Sequence, residues 1–267
     1  MTGEGGSSGQ TPFSSIHREW GCDVYQERVA VIKSFLYRAL ASYHRRQAVR
    51  RVRGLEIKLS SPASRFAIPF VYRGTGLFKK IEPRQNIFEI EALFRAVLQL
   101  SPKRVLEIGT ARGGTLYLWT QAASADATIV SLDLPGGAFG GAYPTCRIPF
   151  YQSFARPSQH LHLLRTDSHA PETVRQVQSM FGLEPIDFAF IDGDHTYEGV
   201  KSDFQLYGPL VREGGIIAFH DICPRPESPD IQVDRFWNEI KTDYQTEEIV
   251  APLGTGRQIG IGIVRVT

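Results

Sequence analysis

Apolar residues along this chain keep two different rhythms. From Tyr25 to about Arg53 they recur every three or four positions, with Val29, Ile32, Leu36 and Leu40 in one stripe, which predicts an amphipathic helix. Ile87, Ile90, Phe94, Val97 and Leu98 share a face in the same way and predict a second helix. Residues 59–84, with Pro62, Pro69, Pro83, Gly74 and Gly76, read as irregular. From residue 104 the rhythm changes. Short apolar runs at 104–109, 127–133, 161–167, 186–192 and 214–221 predict strands, and helical patterns follow at 114–123, 171–181, 197–210 and 230–240. Two closing strands, 247–251 and 259–266, are separated only by PLGTGRQ, short enough for a hairpin.

Strands that alternate with helices predict an α/β fold: a doubly wound, Rossmann-like, seven-stranded sheet, mostly parallel, with an antiparallel last strand. The expected organisation is a disordered tail over 1–12, an N-terminal helical extension over 13–83 and one α/β domain over 84–267. In such a sheet, ligands bind beyond the carboxyl ends of the strands, where the strand order reverses.

The loop after the first strand reads LEIGTARGGT, residues 106–115. Gly109 lets the chain leave the strand, and Gly113 and Gly114 are expected to let backbone approach a ligand at a helix N-terminus. The nicotinamide fingerprint is not met, because Ala111 stands at its second glycine. Glu107 precedes the first glycine by two, and Asp133 ends the next strand, where a carboxylate can hold ribose hydroxyls. This E-x-G-x-x-x-G-G loop, with such an aspartate and a reversed last strand, resembles the cofactor site of class I S-adenosylmethionine-dependent methyltransferases. The resemblance extends over about residues 84–266. It implies S-adenosyl-L-methionine as cofactor, with Glu107, Gly109, Thr110, Gly113, Gly114 and Asp133 around it and Asp167 and Ser168 of RTDS near adenine. Turn and helix-cap residues look the same in sequence, so for Asp167 and Ser168 both readings stay open.

IDGDHTYEG, residues 191–199, sets Asp192 at the tip of the fourth strand and His195 on the loop behind it. FHDIC, 219–223, brings His220 and Asp221 to the tip of the neighbouring strand. Carboxylate oxygens suit magnesium, and a histidine ligand admits manganese, iron or zinc more readily. The pattern resembles metal-dependent O-methyltransferases of sugars and natural products: the rhamnosyl and mycinamicin methyltransferases and their cephalosporin-pathway relatives. That resemblance implies His195 as base and a divalent metal, magnesium or manganese, on Asp192, Asp221 and His220. His220 departs from the family's acidic pair and reads equally as a hydrogen-bonding residue that orients Asp221. Gln85 and Asn86 of QNIFE match a segment that closes over the cofactor in this subgroup. Asp194 is expected to cap the loop, and Tyr197 to pack. The activity implied is O-methylation of a hydroxyl on a small-molecule acceptor: a sugar, glycolipid or secondary metabolite. Metal-free transfer to oxygen or nitrogen is an alternative, as is a protein that holds the cofactor or an RNA without transferring.

Composition narrows the setting. Across 267 residues the net charge is +2, so the molecule as a whole is not built to bind nucleic acid. Cys22, Cys146 and Cys223 form no C-x-x-C pair, and neither a secretory signal nor a membrane-length apolar run is read, so a cytoplasmic protein is expected. Arg45, Arg46, Arg50, Arg51 and Arg53 are read as a solvated C-terminal helix end suited to the helix dipole, or as a surface for acidic lipid or nucleic acid. The amphipathic N-terminal helix is expected to pack on a second subunit. The long connection 134–159, rich in glycine and aromatics, reads as a lid, a covering helix, or both.

Overall fold

The computed structural model describes residues 39–139, 141 and 143–267. The expected tail, Cys22 and the predicted helix up to residue 38 lie outside the described residues. Residues 39–58 are helical (α1), so the arginine cluster sits inside a helix that runs on past Arg53, not at its end. Two short turns follow, Pro62–Arg65 (α2) and Ile68–Val71 (α3). Helix α4 is Ile87–Leu100: the Asn86 side chain caps it by accepting from Phe88 N, and Ser101 ends it in the left-handed region.

The α/β part then runs β1 (Arg104–Ile108), α5 (Gly114–Ala122), β2 (Thr128–Leu132), α6 (Ile148–Gln152), β3 (His160–Leu164), α7 (Pro171–Met180), β4 (Ile186–Ile191), α8 (Tyr197–Tyr207), β5 (Val211–His220), α9 (Val233–Ile240), β6 (Gln245–Ile249) and β7 (Ile261–Arg265). The seven strands lie in the order β3-β2-β1-β4-β5-β7-β6. The first five are parallel, and β7 runs antiparallel between β5 and β6.

Every residue of β4 is buried, as a central strand covered on both faces requires. Its residues alternate between two cores. Phe188 and Phe190 pack on Trp119 of α5 with ring centroids 4.9 and 5.3 Å apart, while Ala189 and Ile191 join Val177 and Trp237 on the other face. Each large side chain so buried contributes about 1.5–3 kcal/mol. Ala48, Val52, Phe66, Ile68, Tyr72, Phe78 and Ile81 lie in the same core as Trp119 and Phe188. Tyr143, Phe150, Tyr151 and Phe154 also join it, so the later half of the 134–159 connection covers the sheet. Among the described residues no helix is long and apolar enough to cross a membrane.

Candidate active site

The chain leaves β1 toward β2 on one side, and β4 returns on the other, so a crevice opens between these tips. Backbone bonds hold the tips together: Asp192 N donates to Ile108 O at 2.8 Å, and Gly109 N to Leu132 O at 2.9 Å. Gly109 has φ +103°, and a Cβ there would lie 2.0 Å from Asp192 O. Only glycine permits this approach, and the approach sets Asp192 beside the β1 loop. Above lies a cavity of about 540 Å³. Gly109, Ala111, Asp133 and Thr166–His169 line one side of it, and Gln85, Asp192, His195, His220, Asp221 and Arg225 line the other.

On the first side, the Asp133 carboxylate ends β2 and accepts from Ala111 N through Oδ2 at 2.9 Å. Four expected cofactor residues stand behind the cavity wall rather than in it. Gly113 faces the Tyr151 ring, which a Cβ would meet at 2.7 Å, and Gly114 faces Ile81 O at 2.2 Å. A side chain at either position would collide with protein, so packing requires glycine at both. The Thr110 hydroxyl turns inward to Ser131 Oγ at 2.5 Å, and Ser131 donates to Glu107 Oε2 at 2.6 Å. Glu107 is fully buried, and burial pushes its pKa up to about 8 despite the bond from Ser131. Asp167 lines the cavity and also accepts from His169 N, a turn-forming bond. Ser168 O accepts from Tyr207 OH.

On the second side, the His195 backbone is pinned by Gln232 N donating to its carbonyl at 2.8 Å. Its Nδ1 lies 2.9 Å from Asp221 Oδ2, and the Phe139 ring stands edge-on to it with centroids 4.9 Å apart. Asp221 has φ +69°, an uncommon conformation that aspartate tolerates better than most residues. Of the QNIFE pair, Gln85 enters the site and donates to Asp192 Oδ2 at 2.7 Å. Asn86 turns away, capping α4 and donating to Arg257 O. Asp194 accepts from Thr196 N, and Tyr197 packs on Phe236.

His169 and Arg225 are among the cavity residues that no sequence motif marks. His169 follows the RTDS stretch, and its Nε2 lies 3.2 Å from Oδ1 of Asp203, which is wholly buried on α8. Arg225 stands on the loop after β5 with its guanidinium against Asp221 Oδ1. A histidine directly after RTDS and an arginine four past Asp221 were the available signals, but neither has a motif of its own.

Asp192, His195 and Asp221 each offer a ligand atom within 4.8 Å of the others, so spacing alone would admit an ion. Their partners argue against one. All four carboxylate oxygens already face a protein nitrogen. Gln85 and His220 Nδ1 (2.9 Å) take Asp192, and His195, His220 Nδ1 (3.3 Å) and Arg225 take Asp221. Burial opposes charge on His220, but Asp192 and Asp221 outweigh it and bring its pKa up to about 10. Burial works on Asp221 in the upward sense, and bonds from His195 and His220 reverse it, holding the carboxyl well below its usual range. Arg225 therefore sets one permanent cation against Asp221, with the His220 ring close to both carboxylates. Unit charges about 4 Å apart interact by about 4 kcal/mol at an effective dielectric near 20. A dication at this point would meet the Arg225 charge and would have to displace the nitrogens that now face the carboxylate oxygens. As placed, the residues do not fit a divalent ion. His220, expected as a ligand, has Nδ1 2.9 Å from Asp192 Oδ1 and 3.3 Å from Asp221 Oδ2, in hydrogen-bonding geometry to neither.

Residues 106–222 match the family Methyltransf_24, described as a methyltransferase domain. Over 60 residues the chain is 47% identical to uncharacterized protein R132 of Acanthamoeba polyphaga mimivirus, covering 22% of this chain and only 26% of that protein. The O-methyltransferase TomG from Streptomyces achromogenes, solved with SAM and involved in tomaymycin synthesis, superposes with a TM-score of 0.51 at 17% identity, over 77% of this chain and 89% of that one. Cofactor-bound Rv0187 from MTB gives a TM-score of 0.50 at 17% identity, over 66% and 79%. At such identities the likeness is one of fold.

Proposed function

We propose, from the premise that residues 106–222 form a methyltransferase domain within an S-adenosylmethionine-dependent fold, that this chain methylates a hydroxyl of a small-molecule acceptor with His195 as base. One observation carries the reading: His195 Nδ1 is held by Asp221 Oδ2 at 2.9 Å in a cavity whose other wall bears Asp133. When bound, S-adenosylmethionine supplies an electrophilic methyl group. The buried Asp133 carboxylate suits the ribose hydroxyls, and Thr166–His169 suit the adenine end.

The acceptor then lies over Asp192 and His195. Its hydroxyl oxygen forms the new bond to the methyl carbon as the carbon–sulfur bond breaks, and its proton passes to His195 Nε2. Asp221 keeps the Nδ1 proton in place and stabilises the imidazolium that results. Asp192, fixed by Gln85 and set beside His220, is placed to orient the hydroxyl. Sugars, glycolipids and hydroxylated secondary metabolites are the acceptor classes we favour. The divalent metal implied by the sequence resemblance takes no step in this reading, because the carboxylates it would use are already neutralised.

Labelled methyl transfer from S-adenosylmethionine to lysate small molecules tests the reading. His195→Ala should lower it by about 10²–10⁴-fold, while calorimetric affinity for S-adenosylhomocysteine stays within about threefold (under about 1 kcal/mol). Undiminished transfer in that variant would remove His195 from the chemistry. No uptake of the cofactor product by the wild-type chain would remove the reading altogether.

A further inference from the structure

We propose that Arg225 is the resident cation of the carboxylate cluster and that the site works without a divalent metal. This rests on reading the cavity as the acceptor site, but its main test needs no turnover. Asp221 and Arg225 are an i, i+4 pair with side chains only 3% and 12% exposed, and the guanidinium sits against Asp221 Oδ1. Opposite it, His195 Nδ1 and His220 Nδ1 face Oδ2 at 2.9 and 3.3 Å. The Asp221 carboxylate is therefore enclosed by protein nitrogens on both oxygens. An arginine does not deprotonate at physiological pH, so its charge is a permanent feature of the site.

The loop is built to keep Arg225 there. Cys223 N donates to Ile259 O at 2.9 Å, tying the start of the loop to the segment that leads into β7, and Ser228 N donates to Arg225 O at 2.9 Å, closing a turn at the arginine. Magnesium needs near-octahedral oxygen ligands at about 2.0–2.1 Å. To reach Asp221 it would have to expel a tethered guanidinium and also draw His195 from the carboxylate that orients it. Arg225 does not touch the reacting atoms. It is a positioning residue that leaves Asp221 charge-balanced and directed at His195.

Manganese titration of the full-length chain, followed by electron paramagnetic resonance with S-adenosylhomocysteine present, tests the proposal. The wild-type chain should show no saturable binding below about 1 mM, weaker than any dedicated carboxylate site. Arg225→Ala frees Asp221, so it should bind manganese at least about tenfold more tightly and melt at a higher temperature with the ion than without. Arg225→Lys keeps a charge and should bind no manganese. Methyl transfer by the wild type should survive dialysis against a chelator, and Arg225→Ala should shift the pH profile of transfer.

Micromolar manganese binding by the wild type overturns the proposal. So does a folded Arg225→Ala that binds no manganese, since the guanidinium would then not be what keeps an ion away. If Arg225→Ala fails to fold, the wild-type and Arg225→Lys titrations still decide. Failure to bind S-adenosylhomocysteine would sink the methyltransferase reading and leave the manganese arm readable.

Discussion

His169 shows how one side chain can tie the cavity wall to the core. Its ion-pair partner Asp203 is completely buried, and that contact, offset by burial and aided by the charge of Asp203, raises the His169 pKa to about 9. The group is raised from about 6.5, so its contribution to stability is full below about pH 6.5 and is lost as pH climbs through about 9. His220, raised to about 10, acts in the same sense. The melting temperature should therefore fall between those limits in the wild type. It should fall less steeply in His169→Gln, where the His220 and Glu107 parts remain. Parallel melting curves across pH for the two proteins would show that the His169–Asp203 contact carries no such charge. At this scale the sequence offered little: Asp203 looks like any helix-surface aspartate in YEGVKSDF until α8 is packed against the loop after β3.

Among the elements, α4 is joined to the last hairpin by one buried carboxylate. Glu89 accepts from Ala251 N at 3.0 Å, Ile259 N at 3.2 Å and Gly260 N at 2.9 Å. These donors leave β6 and enter β7, where no ladder partner serves them, and buried amides left unpaired cost about 1–3 kcal/mol each. Glu89→Ala should lower stability by about 3 kcal/mol or more, read as a lower denaturant midpoint. Glu89→Gln, which keeps an acceptor oxygen, should lose less. Equal stability of Glu89→Ala and wild type would show that water replaces the carboxylate. Elements themselves were largely legible, because periods of 3.6 and 2 survive in single segments. The β6–β7 pairing was expected from the short link between them, but the insertion of β7 between β5 and β6 was not, since strand order is absent from local pattern.

For the molecule as a whole, residues 48–81 and the α/β sheet share one hydrophobic core. Phe66, Ile68, Tyr72, Phe78 and Ile81 alone contribute about 1.5–3 kcal/mol apiece, a sum comparable with the roughly 5–15 kcal/mol of a whole domain. A chain shortened to begin at residue 84 should therefore lose its cooperative thermal transition in circular dichroism. Retention of a sharp transition near the full-length temperature would show that the extension is dispensable for folding. Residues 13–83 were expected to form an N-terminal helical extension of the α/β fold. From residue 48 onward, the structure packs them as part of the enclosing wall.

Local sequence alone did not show the short helices between residues 62 and 71, but it determined the order and type of the elements from residue 87 onward, the parallel sheet with its reversed strand, and the tips on which Asp133, Asp192, His195 and Asp221 would stand. Each follows from periodicity and from glycine, proline and carboxylate positions a few residues apart. Tertiary structure alone decided what those side chains meet: Gln85 on Asp192 from 107 residues away, Arg225 on Asp221, and Tyr151 and Ile81 in the room left by two glycines. The physical reason is that charge balance and excluded volume belong to atoms brought together in space. A motif lists the carboxylates in a site, whereas the fold supplies the cations that surround them.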